Sequence, residues 1–156
     1  MKFIDSGFEI IEQKDGLDGL YKHIEKVARV SYKSEDKITK DSAKVMVDRL
    51  IASKHLSCLE HGTIYLHYSF KIGDSVEFDY DKYKRNPYSK VIEIWDKKIL
   101  HVYITTNTRV IIENNWNDDL QYVCEPAEFH EKRYTVRFIT SIGIGREFTR
   151  HRTFNY

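Results

Sequence analysis

With 156 residues, 41% of them hydrophobic, the chain is long enough for one domain around one packed core. Its formal net charge of +1 excludes a general electrostatic grip on nucleic acid, so any anion binding must be local. No apolar run approaches the roughly 18 residues of a membrane helix, and Asp5 comes too early for a secretory signal, so the expected location is the cytoplasm.

Cys58 and Cys124 lie far apart without a Cys-x-x-Cys partner, which signals neither a disulfide framework nor a zinc site, and no metal is expected. Eleven tyrosines and eight phenylalanines suit stacked ligands and an oligomer interface equally well.

In chain order, residues 3–13 read as a short strand with Phe8 and Ile10 on one face and Ile11 on the other, broken by Asp15-Gly16. Leu17, Leu20, Tyr21, Ile24, Val27 and Ala28 then make an amphipathic helical stripe that leaves Lys22, Glu25 and Lys26 outside. On the residues alone, Arg29 caps this helix and Ser31 begins a turn. Thr39 or Asp41 is placed to cap a second helix whose buried stripe is Ala43, Met46, Val47, Leu50 and Ile51. Residues 55–61 read as a loop. Residues 63–72 alternate apolar and polar, the clearest strand pattern in the chain, with His67 on the solvated face.

Asn86-Pro87 marks a turn, and residues 90–94 and 99–105 are predicted to form a hairpin. Asn107 can cap a short helix carrying Val110, Ile111 and Ile112. Tyr134, Val136 and Phe138 restart a strand, expected antiparallel to the 63–72 strand, which would make residues 73–133 a peripheral insertion in a single 1–156 domain. Gly143-Ile144-Gly145 opens the last helix but lacks the third glycine of a dinucleotide loop, so no Rossmann unit is read there. The expected class is α+β, an antiparallel sheet packed with helices.

The chain closes on Arg146-Glu147-Phe148-Thr149-Arg150-His151-Arg152, in which two guanidinium forks flank an imidazole and ask for an anion such as phosphate. At about 100° per residue the three final side chains fan too widely to grip one group, while Arg146 shares a face with Arg150 and Glu147 with His151. Read alone, such a triplet is also an ordinary basic helix end.

Three segments in order, Ala28-Arg29-Val30-Ser31-Tyr32, His55-Leu56-Ser57-Cys58-Leu59-Glu60-His61 and Arg146 to Arg152, resemble the motifs of the flavin-dependent thymidylate synthases, the ThyX family. The resemblance implies a ThyX-type α+β fold and an enzyme that methylates dUMP to dTMP with methylenetetrahydrofolate, NADPH and FAD. It implies cofactor contacts from Ser31, His55, Ser57, Arg150, His151 and Arg152, and catalytic roles at the nucleotide for Arg150 and Glu147. For Glu60-His61 a structural role in orienting the segment is as well supported as a ligand role. The family assembles as homotetramers with active sites shared between subunits, so a homo-oligomer is expected, with no nucleic-acid partner.

The pattern departs from the family at its end. Asn155 stands where the motif serine is expected, and Tyr156 precedes the rest of the nucleotide site. The expectation is a truncated chain, inactive alone and with a weakened oligomer. Two alternatives stand beside it: a non-catalytic flavin- or nucleotide-binding or assembly module of the same fold, and an α+β interaction domain without a ligand.

Overall fold

Residues 5–74, 78–148 and 150 are described in the computed structural model of the chain. Local pattern explains most of the elements. Gly16, at φ +74°, makes the turn from strand β1 (Gly7–Ile11) into helix α1 (Gly16–Ser31), a conformation that favours a residue without Cβ. The α1 stripe buries Leu20, Ile24 and Ala28 against Met46, Val47 and Leu50 of α2 (Ser42–Ala52). Each of the larger side chains taken fully out of water contributes about 1.5–3 kcal/mol, and the Ala28 methyl about 0.8 kcal/mol.

A three-stranded antiparallel sheet lies under these helices in the order β2 (Thr63–Lys71), β4 (Ile99–Asn107), β3 (Lys90–Asp96). The register sets Leu66 opposite Ile104 and Tyr68 opposite Val102, so period-2 alternation delivers Ile64, Leu66, Leu100, Val102 and Ile104 to one buried face. The 3₁₀ turn Asn117–Tyr122 and the short helix α3 (Asp81–Lys84) close the end of this core: Tyr83 is fully buried, and its hydroxyl donates to Asp119 Oδ2 at 2.6 Å. Lys82 reaches the same carboxylate oxygen at 2.6 Å while sitting over the Trp116, Tyr83 and Phe78 rings.

Several expectations are corrected. Residues 73–133 are not peripheral: they supply the central strand β4, its neighbour β3, and the core side chains Phe78, Tyr83, Leu100 and Val102. Strand β5 (Thr135–Ile139) pairs with β1, not with β2, in a separate two-stranded antiparallel ribbon that sets Phe8 opposite Phe138 and Ile10 opposite Val136. The reason is occupancy of the β2 edges. One carries β4, and the other receives residues 123–124 through a Leu66–Val123 bridge and the Cys124 N–H to Tyr65 carbonyl bond of 3.0 Å.

Glu25, expected outside, is buried, because Arg29 one turn later neutralises it; Arg29 therefore does not cap the helix. Neither Thr39 nor Asp41 caps α2 with its side chain; the Ser42 hydroxyl instead accepts the Thr39 N–H at 2.8 Å. His67 is not simply solvated. It stacks on Tyr103 with ring centroids 4.6 Å apart and shares a 3.1 Å hydrogen bond with His101.

The ribbon is fastened to the body by polar contacts. The Gln13 amide donates to the Thr63 carbonyl at 2.7 Å and accepts the Thr63 N–H at 2.9 Å. The Thr135 hydroxyl lies 2.9 Å from His23 Nε2 and 3.4 Å from His61 Nδ1, joining β5 to α1 and to the segment before β2. After β5 comes the short helix α5 (Ile142–Phe148), whose Phe148 ring packs 5.0 Å from that of Phe138. Among the described residues no helix is long and apolar enough to cross a membrane.

Candidate functional site

Three helices end in the same way. After α1, the Ser34 N–H bonds the Arg29 carbonyl and the Lys33 N–H bonds that of Val30, with Lys33 at φ +49°. After α2, the His55 N–H bonds the Leu50 carbonyl and the Lys54 N–H that of Ile51, with Lys54 at φ +57°. After α4 (Thr108–Glu113), started as predicted by the Asn107 side chain accepting the Val110 N–H, the Trp116 N–H bonds the Ile111 carbonyl and the Asn115 N–H that of Ile112, with Asn115 at φ +57°. Each is a Schellman closure, which satisfies the last carbonyls and turns the chain sharply at a left-handed residue.

Residues at or beside these ends, Tyr32, Lys54, His55 and Glu113, line one open cleft of about 470 Å³ together with Leu56, Ser57 and Arg109. The expected loop at residues 55–61 is instead a 3₁₀ helix, Leu56–His61, with His55 at its N-cap. A left-handed lysine followed by a 3₁₀ turn projects His55 and Ser57 outward while Cys58 and Leu59 enter the core. Burial raises the Cys58 thiol pKa, so this cysteine stays protonated and unreactive.

The Tyr32 hydroxyl is 2.8 Å from His55 Nδ1, and the two rings lie 27° from parallel with centroids 6.4 Å apart. On the other side, Arg109 is held between two carboxylates: Nε donates to Glu113 Oε1 at 2.8 Å and Nη1 to Glu60. These bonds, Glu113 first and then Glu60, raise the Arg109 pKa above its ordinary value. Glu60 thus clamps the 3₁₀ segment to α4. His61 faces inward toward Thr135, and burial lowers its pKa against the opposing charge of Glu60. Both contacts tie the segment to its neighbours.

His55 and Ser57 therefore share a cleft, while Ser31, the residue before Tyr32, is not part of its lining and donates its hydroxyl to the Val27 carbonyl at 3.4 Å. Glu147 and Arg150 belong to a different region, on α5 and just past it, and pair with each other at 3.1 Å. His151, Arg152 and Asn155 lie outside the described residues. Sequence reasoning gave no site role to Arg109 or Glu113. Their spacing of four residues in a short helix was the one local sign of a pair; the tie to Glu60, 49 residues away, has none.

A second cavity, about 280 Å³, lies between the ribbon and the body and is lined in part by His23, Tyr65, Cys124 and Arg133. Burial lowers the His23 pKa, with the Glu12 backbone opposing and His61 and Lys26 adding to the effect. Among the described residues no group of three or more His, Cys, Asp and Glu side chains is arranged to hold a metal ion. No protein-family model, curated protein or solved structure matches this chain. The α+β class with antiparallel sheets therefore rests on the arrangement of the chain's own helices and strands.

Proposed function

We propose that this chain is a flavin-binding protein of the ThyX class, with the Tyr32/His55/Ser57 cleft as its flavin half-site and reductive methylation of dUMP to dTMP as the associated reaction. One observation carries the reading. The two N-terminal segments that resemble flavin contacts, 23 residues apart at Tyr32 and His55, meet across a single hydrogen bond and line one cleft.

Its volume lies in the usual range of small-molecule sites. Electrostatics sort which part of FAD fits. Arg109 is neutralised by Glu60 and Glu113, which leaves Lys54 as the remaining cationic side chain of the lining. With a single lysine beside the hydrogen-bonding groups of Tyr32, His55 and Ser57, the lining suits a heterocycle with donors and acceptors better than a diphosphate with its two charges. His55 and Ser57 are assigned to the flavin ring on this basis, and Ser31 keeps a cofactor contact only through the family resemblance. The diphosphate falls to the cations of the Arg150-His151-Arg152 segment, on the chain itself or on a second subunit, which is where a homotetramer of the ThyX type enters the proposal.

Bound FAD, once reduced by NADPH, would supply the hydride needed to complete transfer of the one-carbon unit from methylenetetrahydrofolate to the uracil ring. The protein's contribution is placement. His55 and Ser57 orient the ring, while Glu147 and Arg150 belong to the nucleotide side. A cytoplasmic setting follows from those co-substrates.

The non-catalytic reading of the same fold, a flavin or nucleotide module, is favoured by one contact: Glu147 and Arg150 neutralise each other rather than presenting an open cation. NADPH oxidation by the purified chain with FAD, methylenetetrahydrofolate and dUMP separates the two. Oxidation that requires dUMP supports the synthase; binding of flavin or dUMP without such turnover supports the module, and absence of binding of both contradicts the two readings together.

A further inference from the structure

We propose that Tyr32 is a positioning residue for His55, fixing which ring nitrogen is offered to the ligand. The proposal rests on the flavin reading for its ligand but not for its geometry. Tyr32 is the C-cap of α1, locked by its own N–H to the Ala28 carbonyl at 3.0 Å and by the Schellman closure that follows. His55 is the residue after the left-handed Lys54 and is locked by its N–H to Leu50. Two independent helix ends thus bring a phenol and an imidazole to 2.8 Å on the wall of an open cleft.

A neutral imidazole has one donor and one acceptor nitrogen, and the partner on one nitrogen decides the state of the other. The phenol O–H is the better donor of the pair, so Nδ1 accepts and the proton stays on Nε2. His55 is thereby held as an Nε2–H donor, suited to a carbonyl oxygen or an unprotonated ring nitrogen of a bound heterocycle.

Tyr32→Phe removes the hydroxyl and keeps the ring. In 15N-histidine NMR of the full chain, His55 is expected to show a single tautomer with protonated Nε2, and Tyr32→Phe to give averaged signals for the two nitrogens. Equal averaging in both proteins overturns the proposal, whether or not FAD binds.

The second readout is coupling. Tyr32→Phe is expected to weaken FAD binding about fivefold when His55 is present and to leave it unchanged in a His55→Ala background. The same fivefold loss in both backgrounds would mean that Tyr32 touches the ligand directly, and the positioning role would be wrong. If the wild-type chain binds no FAD, the flavin reading fails and the tautomer experiment alone decides the role of Tyr32.

Discussion

Glu25 Oε1 accepts two hydrogen bonds from Arg29, from Nε at 3.1 Å and from Nη2 at 3.0 Å, while Glu25 Oε2 accepts the Ser42 hydroxyl at 3.0 Å. One buried carboxylate so ties the last turns of α1 to the first residue of α2, and it sits two turns before Tyr32 on the cleft. Its burial makes the tie expensive to break. Removing one partner of a buried ion pair costs about 3–5 kcal/mol when desolvation is complete; Arg29 keeps some exposure, so Glu25→Ala is expected to cost about 2–4 kcal/mol in urea unfolding. Glu25→Gln, which keeps the bond to Ser42, is expected to cost less. Equal stability of Glu25→Ala and wild type would show that the pair carries no net energy.

Lys33 and Lys54 occupy left-handed positions that glycine fills without a Cβ penalty. Set against glycine's larger unfolded-state entropy, Lys33→Gly and Lys54→Gly are each expected to stabilise the chain by about 0.5–1 kcal/mol. The two sites belong to different helices, so the double variant should show additive gains in denaturation midpoint. A loss of stability in either would mean that the lysine side chain contributes more than the backbone strain removes.

Gly62 joins the 3₁₀ segment to β2, and its carbonyl accepts both the Thr108 N–H at 2.8 Å and the Thr108 hydroxyl at 3.0 Å. A Cβ there would meet Ile24 Cδ1 and Thr108 Oγ1, each at 2.6 Å. Gly62→Ala is therefore expected to cost about 1–3 kcal/mol through overpacking and to weaken any ligand that depends on His55 and Ser57. Thermal melts and ligand titration of one preparation test both effects; an unshifted melting temperature would contradict the close approach.

Burial holds the pKa of His23 and His61 below the ordinary imidazole value of 6.5, and does the same for His67 and His130. As pH falls through 6.5 the unfolded chain takes up protons that the folded chain still refuses. Stability is therefore full above that pH and is lost as pH drops toward the lowered folded values, at most ~1.4 kcal/mol per pH unit for each histidine. Urea midpoints at pH 7.5 and 5.5 are expected to differ, with the acid value lower, and His61→Gln is expected to flatten the profile. A midpoint that rises toward pH 5.5 would contradict the assignment.

What the sequence discloses here is what local period controls. The stripes of α1 and α2, the alternation along β2, the Asn107 cap and the hairpin of β3 with β4 all follow from side chains within a few residues of one another. Long-range choices do not. The pattern around Val136 predicts a strand but not that residues 123–124 have already taken the free edge of β2. Glu25 reads as solvent-facing because its charge is visible and the burial of its partner is not. At the site, the family resemblance singled out His55 and Ser57 and the structure gives them one cleft; the Glu60–Arg109 clamp joins residues 49 apart and the Tyr32–His55 bond joins helix ends set by left-handed lysines, neither of which carries a strong sequence signal.

The most direct measurement is equilibrium binding of FAD to the purified chain, followed by flavin fluorescence and compared with the His55→Ala and Ser57→Ala variants. The account predicts a saturable fluorescence change for wild type that is weakened about tenfold in each variant, while both variants keep the wild-type melting profile. No saturable change in wild type, or equal affinity in all three proteins, would contradict the assignment of this cleft to the flavin.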